Sequence, residues 1–168
     1  MVYLEKMQQL FSQGKYKELK ELCKSQLSIH SEDVDLLFFY ASSLEALGEH
    51  EAAKNYFKRL FDITKDRLFL ICQSIPDFAQ GNRDGAVDEL NEVAAKEDDL
   101  NKLFQAFRIA VQNGAPEVGS KLLYSSFKRD PKTTIVKLQE FFESVSDPSP
   151  ERKRFFVTLL DFLNKLSK

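Results

Sequence analysis

Apolar residues recur at helical spacing on both sides of a glycine in the segment 33–65. The apolar positions are Leu36, Leu37, Tyr40, Ala41 and Leu44 before Gly48, and Ala52, Ala53, Phe57, Leu60 and Phe61 after it. Spacings of three and four residues place each set on one face of a helix. A glycine between two such runs predicts a turn. The segment therefore predicts two helices folded against each other.

The same arrangement repeats along the chain at a nearly constant interval. Its glycines are Gly14, Gly48, Gly81 and Gly114, at intervals of 34, 33 and 33 residues. Each glycine follows one apolar helical run and precedes another. A fixed period of this length is typical of helical repeat proteins, in which each unit buries its apolar face against its neighbours. The predicted units are approximately 1–33, 34–66, 67–99 and 100–131.

Small and aromatic residues fall at matching positions within these units. The second unit has small residues at Ala41 and Ala53 and an aromatic residue at Phe57. The corresponding residues are Ser74, Ala86 and Leu90 in the third unit, Phe107, Gly119 and Leu123 in the fourth, and Met7, Leu19 and Cys23 in the first. In the fourth unit the large Phe107 is matched by the smallest residue, Gly119. We expect this exchange to conserve volume within one interface.

At these positions the chain resembles the tetratricopeptide repeat (TPR) family, whose period is about 34 residues. In that family the two small residues let paired helices approach closely, and the aromatic residue fills the next gap. The resemblance covers roughly residues 1–131, and the fourth unit ends at Pro131, where the family usually places a helix-terminating proline. It implies an all-α fold, a right-handed α-solenoid of helix hairpins that forms a single domain over residues 1–168. Residues 132–168 are expected to be a degenerate pair of capping helices.

The C-terminal segment does not repeat the pattern visibly. Its first apolar stripe is Ile135, Leu138, Phe142 and Val145, and residues 147–150 predict a turn before a last helix. The apolar residues of that helix are Phe155, Phe156, Leu159, Leu160, Phe162, Leu163 and Leu166. They span a wider arc than one neighbouring helix covers. Two interpretations remain open: a cap over the end of the solenoid, or a second contact with another copy or with the solenoid's own groove.

Two residues predict local features of the third unit. Pro76 lies inside the predicted first helix, where a proline removes a hydrogen bond. We therefore expect a bend or break near residues 73–75. Asp66 precedes the same helix and is a candidate N-cap, because its carboxylate can accept from free backbone N–H groups.

Composition narrows the classes of function. The chain has 24 Lys and Arg against 26 Asp and Glu, a net charge of −2, and this balance argues against a general nucleic-acid surface. No stretch has the length of a membrane span. Glu5 and Lys6 precede any apolar run, so we expect no signal peptide. Cys23 and Cys72 have no metal-ligand spacing and are interpreted as reduced packing residues. Together these features favour a cytoplasmic location.

Candidate chemistry is sparse in the sequence. His30 and His50 have no cluster of carboxylates or cysteines beside them. The sequence contains no glycine-rich phosphate loop, nucleophile elbow or CxxC motif. We therefore expect a protein that is not an enzyme and uses neither a metal nor a cofactor.

The TPR resemblance implies a concave groove lined by the first helix of each unit. Mapping the units onto the family pattern gives ten partner-binding residues: Leu4, Phe11, Phe38, Leu68, Ile71, Ile75, Phe78, Phe104, Arg108 and Val111. One TPR subset grips acidic C-terminal tails with Lys, Asn and Arg, but the matching positions here are Leu4, Gln8, Phe39, Leu68 and Cys72. The groove is therefore expected to be apolar and to suit an amphipathic helix or an extended apolar segment. Alternatively, some of these side chains belong to the core or lie under the C-terminal helix.

Three functions follow from this expectation. The favoured one is a non-catalytic adaptor or scaffold that binds a protein or peptide partner. The alternatives are a chaperone-like protein that shields an apolar client segment, and a homo-oligomeric structural component. The last would associate through the C-terminal helix, where Phe156, Leu160 and Leu163 share one face.

The homodimer hypothesis makes a prediction about mass in solution. If Phe156, Leu160 and Leu163 form a dimer contact, sedimentation velocity at rising concentration should show a dimer that Leu160→Glu dissociates. Val136→Glu serves as the control, because it adds the same charge before the predicted turn. A monomer at every concentration would remove the dimer and favour the capping interpretation.

Overall fold

The computed structural model describes residues 2–144 and the isolated positions 149, 150, 154, 157, 158, 161 and 165. Over these residues all regular structure is helical and no strand occurs, so the predicted all-α class is confirmed. The helices are α1 (Val2–Ser12), α2 (Tyr16–Leu27), α3 (Val34–Ala46), α4 (His50–Thr64), α5 (Leu68–Ala79), α6 (Arg83–Lys96), α7 (Leu100–Gln112), α8 (Pro116–Arg129) and α9 (Pro131–Ser144). Within this described part of the chain, no helix is long and apolar enough to cross a bilayer.

One turn geometry recurs at Gly14, Gly48, Gly81 and Gly114. Each glycine has a positive φ, between 64° and 80°, a conformation that side chains disfavour. The glycine N–H donates to the carbonyl three residues back, and the next N–H donates to the carbonyl five residues back, which is the Schellman motif. The following helix then begins two residues after the glycine. The predicted turns are therefore confirmed, and the glycine period has a conformational cause.

A second period appears at the start of α3, α5, α7 and α9. The carboxylates of Asp33, Asp66, Asp99 and Asp130 each accept a backbone N–H of the first turn, at 2.9–3.0 Å. These aspartates are 33, 33 and 31 residues apart. Such caps satisfy N–H groups that have no partner inside the helix. Asp66 accepts the N–H of Leu68 as predicted, although the N-cap residue of α5 is Arg67, and the other three contacts are found only in the structure.

The chain divides into two compact units, Met1–Leu90 and Asn91–Lys168, which are described separately. In the first unit, helices that are consecutive from α1 to α5 pack against each other, and α1 also packs against α3. Ala41, Ala53 and Phe57 are buried together in the core between α3 and α4. The two small residues thus lie where paired helices meet, as the sequence predicts. In the first hairpin the larger Met7 and Leu19 are also fully buried.

The second unit contains α7, α8 and α9, packed in chain order. A Cβ atom placed on Gly119 would lie 3.6 Å from the Ala110 Cβ and 3.9 Å from the Phe107 ring. The expected match of a large residue with a glycine is therefore confirmed. The hydroxyls of Ser126 and Thr134 are 2.7 Å apart and buried, and they join α8 to α9.

The two predicted proline features have different outcomes. Helix α5 continues through Pro76 to Ala79, so of the expected bend or break near residues 73–75 the break does not occur. A proline removes one hydrogen bond from a helix and crowds the carbonyl four residues back, but the N–H of Gln80 still bonds to the Pro76 carbonyl at 3.0 Å. Helix α8 ends at Arg129, just before Pro131, as expected. Pro131 is also the first residue of α9, since a first helical position needs no N–H partner.

Helix α9 carries only part of the predicted apolar stripe. Leu138 is fully buried, while Ile135 and Phe142 are half-buried. The buried face instead includes Thr134 and Phe141. Val145 lies outside the described residues, as do Phe156, Leu160 and Leu163, the residues of the dimer hypothesis.

The packing around Ala53 predicts a loss of stability on overfilling. Ala53→Leu should lower the free energy of unfolding by ~1–3 kcal/mol, because it adds side-chain volume to a filled helix interface. Urea unfolding followed by circular dichroism measures this. Ala46→Leu is the matched control, because Ala46 ends α3 with an exposed side chain. Equal stability of Ala53→Leu and the control would place Ala53 outside the interface.

Candidate functional site

The ten predicted partner-binding residues all lie on α1, α3, α5 and α7, the helices that precede the glycine turns. Their exposure divides them into three groups. Phe11, Ile75 and Arg108 are exposed. The half-buried residues are Leu4, Phe38, Leu68, Phe78 and Val111, and the buried ones are Ile71 and Phe104.

The two buried residues present little area to a partner. Ile71 is 2% exposed and Phe104 is 4% exposed. The Phe104 ring lies 5.1 Å from the Phe107 ring and 6.4 Å from the Phe141 ring, centroid to centroid. Phe141 comes from α9, so α9 helps to cover Phe104. Both buried residues therefore act as packing residues in the described structure.

In the first unit an aromatic row begins at Tyr16 of α2 and crosses α1, α3 and α5. Consecutive rings of the row are in contact, with centroids 5.7–6.3 Å apart. The row consists of Tyr16, Phe11, Phe39, Phe38 and Phe69, in this order. Edge-on contacts of this kind are favourable beyond the area they bury. The row joins α1, α3 and α5, so it fixes the spacing of the first helices in this unit.

The exposed apolar side chains beside this row define the candidate surface of the first unit. Phe11, the second ring of the row, is 38% exposed, and Ile75 on α5 is also 38% exposed. Leu4, Phe38 and Phe78 are half-buried on the same set of helices. A partner can cover these side chains further, which is what an apolar docking surface requires. The sequence did not predict that Phe39 and Phe69 belong to a row of rings. Phe39 directly follows the predicted residue Phe38, and Phe69 directly follows the predicted residue Leu68.

A polar contact spans the turn at Gly48 in the first unit. Glu45 bonds through Oε1 to the Nδ1 atom of His50 at 2.9 Å. This contact ties the end of α3 to the start of α4 across the glycine turn. His50 therefore has a structural partner, and His30 stacks on Tyr3 with centroids 6.4 Å apart.

The second unit has a separate cleft of about 340 Å³ between α7 and α9. Its lining residues are Asn101, Phe104, Gln105, Arg108, Lys137 and Glu140. The Lys137 ammonium donates to the Asn101 carbonyl oxygen at 2.8 Å. The guanidinium of Arg108 lies 5.6 Å from the centre of the Phe141 ring, a cation–π arrangement. This cleft is polar at its rim, unlike the apolar surface of the first unit.

The thiols of Cys23 and Cys72 are unreactive at neutral pH. Burial raises the pKa of both Cys23 and Cys72 to about 12, so both are protonated at neutral pH. A protonated thiol is a weak nucleophile and metal ligand. Cys23 instead donates to the Met7 sulfur at 3.4 Å in the core. Across the part of the chain that the structure describes, no three His, Cys, Asp or Glu residues form a metal-ligating group.

Comparison with known proteins adds no family assignment. No protein-family model matches this chain, and no curated protein matches it significantly. The TPR resemblance therefore stays a prediction from the residue pattern.

The packing of Phe104 predicts that it acts on stability. Phe104→Ala should lower the free energy of unfolding by ~3–5 kcal/mol, the usual cost of removing a buried ring. Val136→Ala is the control, because Val136 is 50% exposed on α9 and surface changes usually fall within about 0.5 kcal/mol. Denaturant unfolding of both variants gives the comparison. If Phe104→Ala were as stable as the control, Phe104 would not be a packing residue and would again be a candidate for partner binding.

Proposed function

We propose that this protein is a non-catalytic TPR-type adaptor, a right-handed solenoid that binds an apolar helical or extended segment of another protein. Recurrence supports the repeat assignment. The same glycine turn ends α1, α3, α5 and α7, and an aspartate cap begins α3, α5, α7 and α9. The paired small residues Ala41 and Ala53 add the spacing typical of that family. A cytoplasmic location is part of the same proposal.

The aromatic row of the first unit is the observation that carries the binding function. It holds Phe11 and Phe38 in fixed positions through ring contacts on neighbouring helices. Rigid, partly exposed aromatic side chains lose little conformational freedom when a partner covers them, so they make efficient anchors. Ile75 and Phe78 extend the apolar area along α5.

The burial pattern changes the set of proposed anchors. The ten partner-binding residues predicted from the sequence include Ile71 and Phe104 beside Phe38 and Phe78. Because Ile71 and Phe104 are packed inside, we assign the anchoring role to Phe11, Phe38, Ile75 and Phe78. All four lie in the first unit. Arg108 remains a candidate for orienting a partner at the cleft of the second unit, through charge rather than apolar area.

A displayed library of short peptides tests this proposal. We expect selected peptides to carry apolar residues at helical or alternating spacing, and to bind purified protein measurably by fluorescence anisotropy. The double variant Phe11→Ser with Ile75→Ser should raise the Kd about tenfold or more, since each covered apolar side chain contributes roughly 1.5 kcal/mol or more.

The matched control for this experiment is Ile63→Ser. Ile63 is 42% exposed, close to the exposure of Phe11 and Ile75, but it lies on α4, a second helix of a pair. All variants should retain their helical circular dichroism. If the control raised the peptide Kd as much as the double variant, binding would not depend on the first helices. The same conclusion would follow if the double variant left the Kd unchanged.

A further inference from the structure

A buried charge cluster joins three helices at the third glycine turn. Asp77 on α5 has a side chain that is 1% exposed. Its Oδ1 atom accepts from the Lys54 ammonium of α4 at 2.6 Å and from the Asn82 amide at 2.9 Å. Asn82 is the residue between the glycine turn and α6, and its own Oδ1 accepts the Gly85 N–H at 3.3 Å. Asp77 thus links α4, α5 and the start of α6.

Glu89 of α6 brings a second carboxyl group to this cluster. Its carboxyl group lies beside that of Asp77, close enough for a hydrogen bond if one of the two carboxyls holds a proton. The Asp77 Oδ2 and Glu89 Oε2 atoms are both buried, and no donor reaches either of them. If both carboxyls were ionised, there would be no proton between them. Asp77 Oδ2 and Glu89 Oε2 would then both lack a hydrogen-bond donor, and two negative charges would lie side by side. Both conditions are costly away from water.

We propose that Glu89 is protonated at neutral pH and donates its proton to Asp77, forming a shared-proton latch that holds α6 to α4 and α5. A single proton satisfies the buried acceptors and leaves one negative charge, which the Lys54 ammonium balances. Loss of the proton places a second charge in the cluster, with only one ammonium to oppose it. The latch therefore weakens as the pH rises, and α6 loses a contact that joins it to Asp77 of α5 and, through Asp77, to Lys54 of α4.

The surrounding charges support this protonation state. Burial is the largest cause that raises the pKa of Glu89, from 4.5 to about 8. The hydrogen bond and charge of Asp77 act in the same direction, as does the charge of Asp88 on α6 itself, while Lys54 opposes them. The folded protein therefore holds a proton that the unfolded chain releases between these two values. Stability should fall with rising pH across this window and stop falling above about pH 8.

Urea unfolding of the whole chain at a series of pH values tests the latch. Relative to Glu89→Gln, which stays neutral, the unfolding constant of the wild type should rise about tenfold per pH unit between roughly pH 5 and pH 7.5, because one proton is released. Asp88→Asn is the matched control. It neutralises the adjacent, exposed carboxylate, which is the smallest cause of the raised pKa of Glu89, so the roughly tenfold change per pH unit should remain. A pH-independent difference between wild type and Glu89→Gln would overturn the proposal.

Carboxyl ¹³C NMR of the wild type gives a second readout that does not depend on how the variants fold. The Glu89 carboxyl should titrate near pH 8, and Asp77→Asn should lower this midpoint, because the variant removes the neighbouring charge. Titration of Glu89 near its ordinary pH of about 4.3 would refute its protonation at neutral pH. A midpoint that Asp77→Asn leaves unchanged would show that Asp77 does not share the proton, which also overturns the latch.

Discussion

A left-handed residue at the end of α1, α3, α5 and α7 is the constraint on which the described architecture depends. A helix that continued past this residue would separate the two apolar faces instead of folding them together. Glycine takes the positive φ without the penalty that a side chain incurs, and the Schellman hydrogen bonds then set the next helix two residues later. The reversal explains why the chain can pair Ala41 with Ala53, and why both are fully buried.

The aspartate caps complement these turns at the other end of each pair. A glycine turn defines where the first helix ends, and an aspartate defines where the next pair begins. Between these two signals the apolar spacing decides which face is buried. Local chemistry and packing therefore agree with each other, which is the condition for a sequence to specify one fold. The latch between Asp77 and Glu89 is an exception to this agreement, because two acidic side chains occupy buried positions that apolar side chains could fill.

The fold was largely predictable because its signals are local. Gly48 and Gly81 predict turns from the local sequence alone. Ala53 and Gly119 likewise predict that two paired helices approach each other closely. Of the bend or break expected near residues 73–75, the break does not occur, since α5 is continuous through Pro76. Asp33 and Asp99 lie 33 residues before and after Asp66. This spacing also indicates helix caps at Asp33 and Asp99, which were not predicted.

The candidate site was less predictable, because exposure depends on what packs over a residue from elsewhere in the chain. Helical spacing places Phe104 and Phe38 on equivalent faces of their helices. Phe104 is a core residue because Phe107 on its own helix and Phe141 on α9 both pack against it. The sequence left open that some groove residues belong to the core, but it did not indicate which ones. Phe11 stays exposed although its ring contacts Tyr16 and Phe39. The proton shared by Glu89 and Asp77 likewise depends on two helices meeting, and each residue alone resembles an ordinary surface acid.

The most direct test of the repeated turn is the stability of glycine-to-alanine variants. At Gly48, Gly81 and Gly114 an added Cβ would meet no atom within 4 Å, so alanine changes only the backbone preference. The account predicts that each variant lowers the free energy of unfolding by a similar amount, ~1–2 kcal/mol, the cost of a side chain in the left-handed region. Alanine variants as stable as the wild type would contradict the left-handed turns and the repeat built on them.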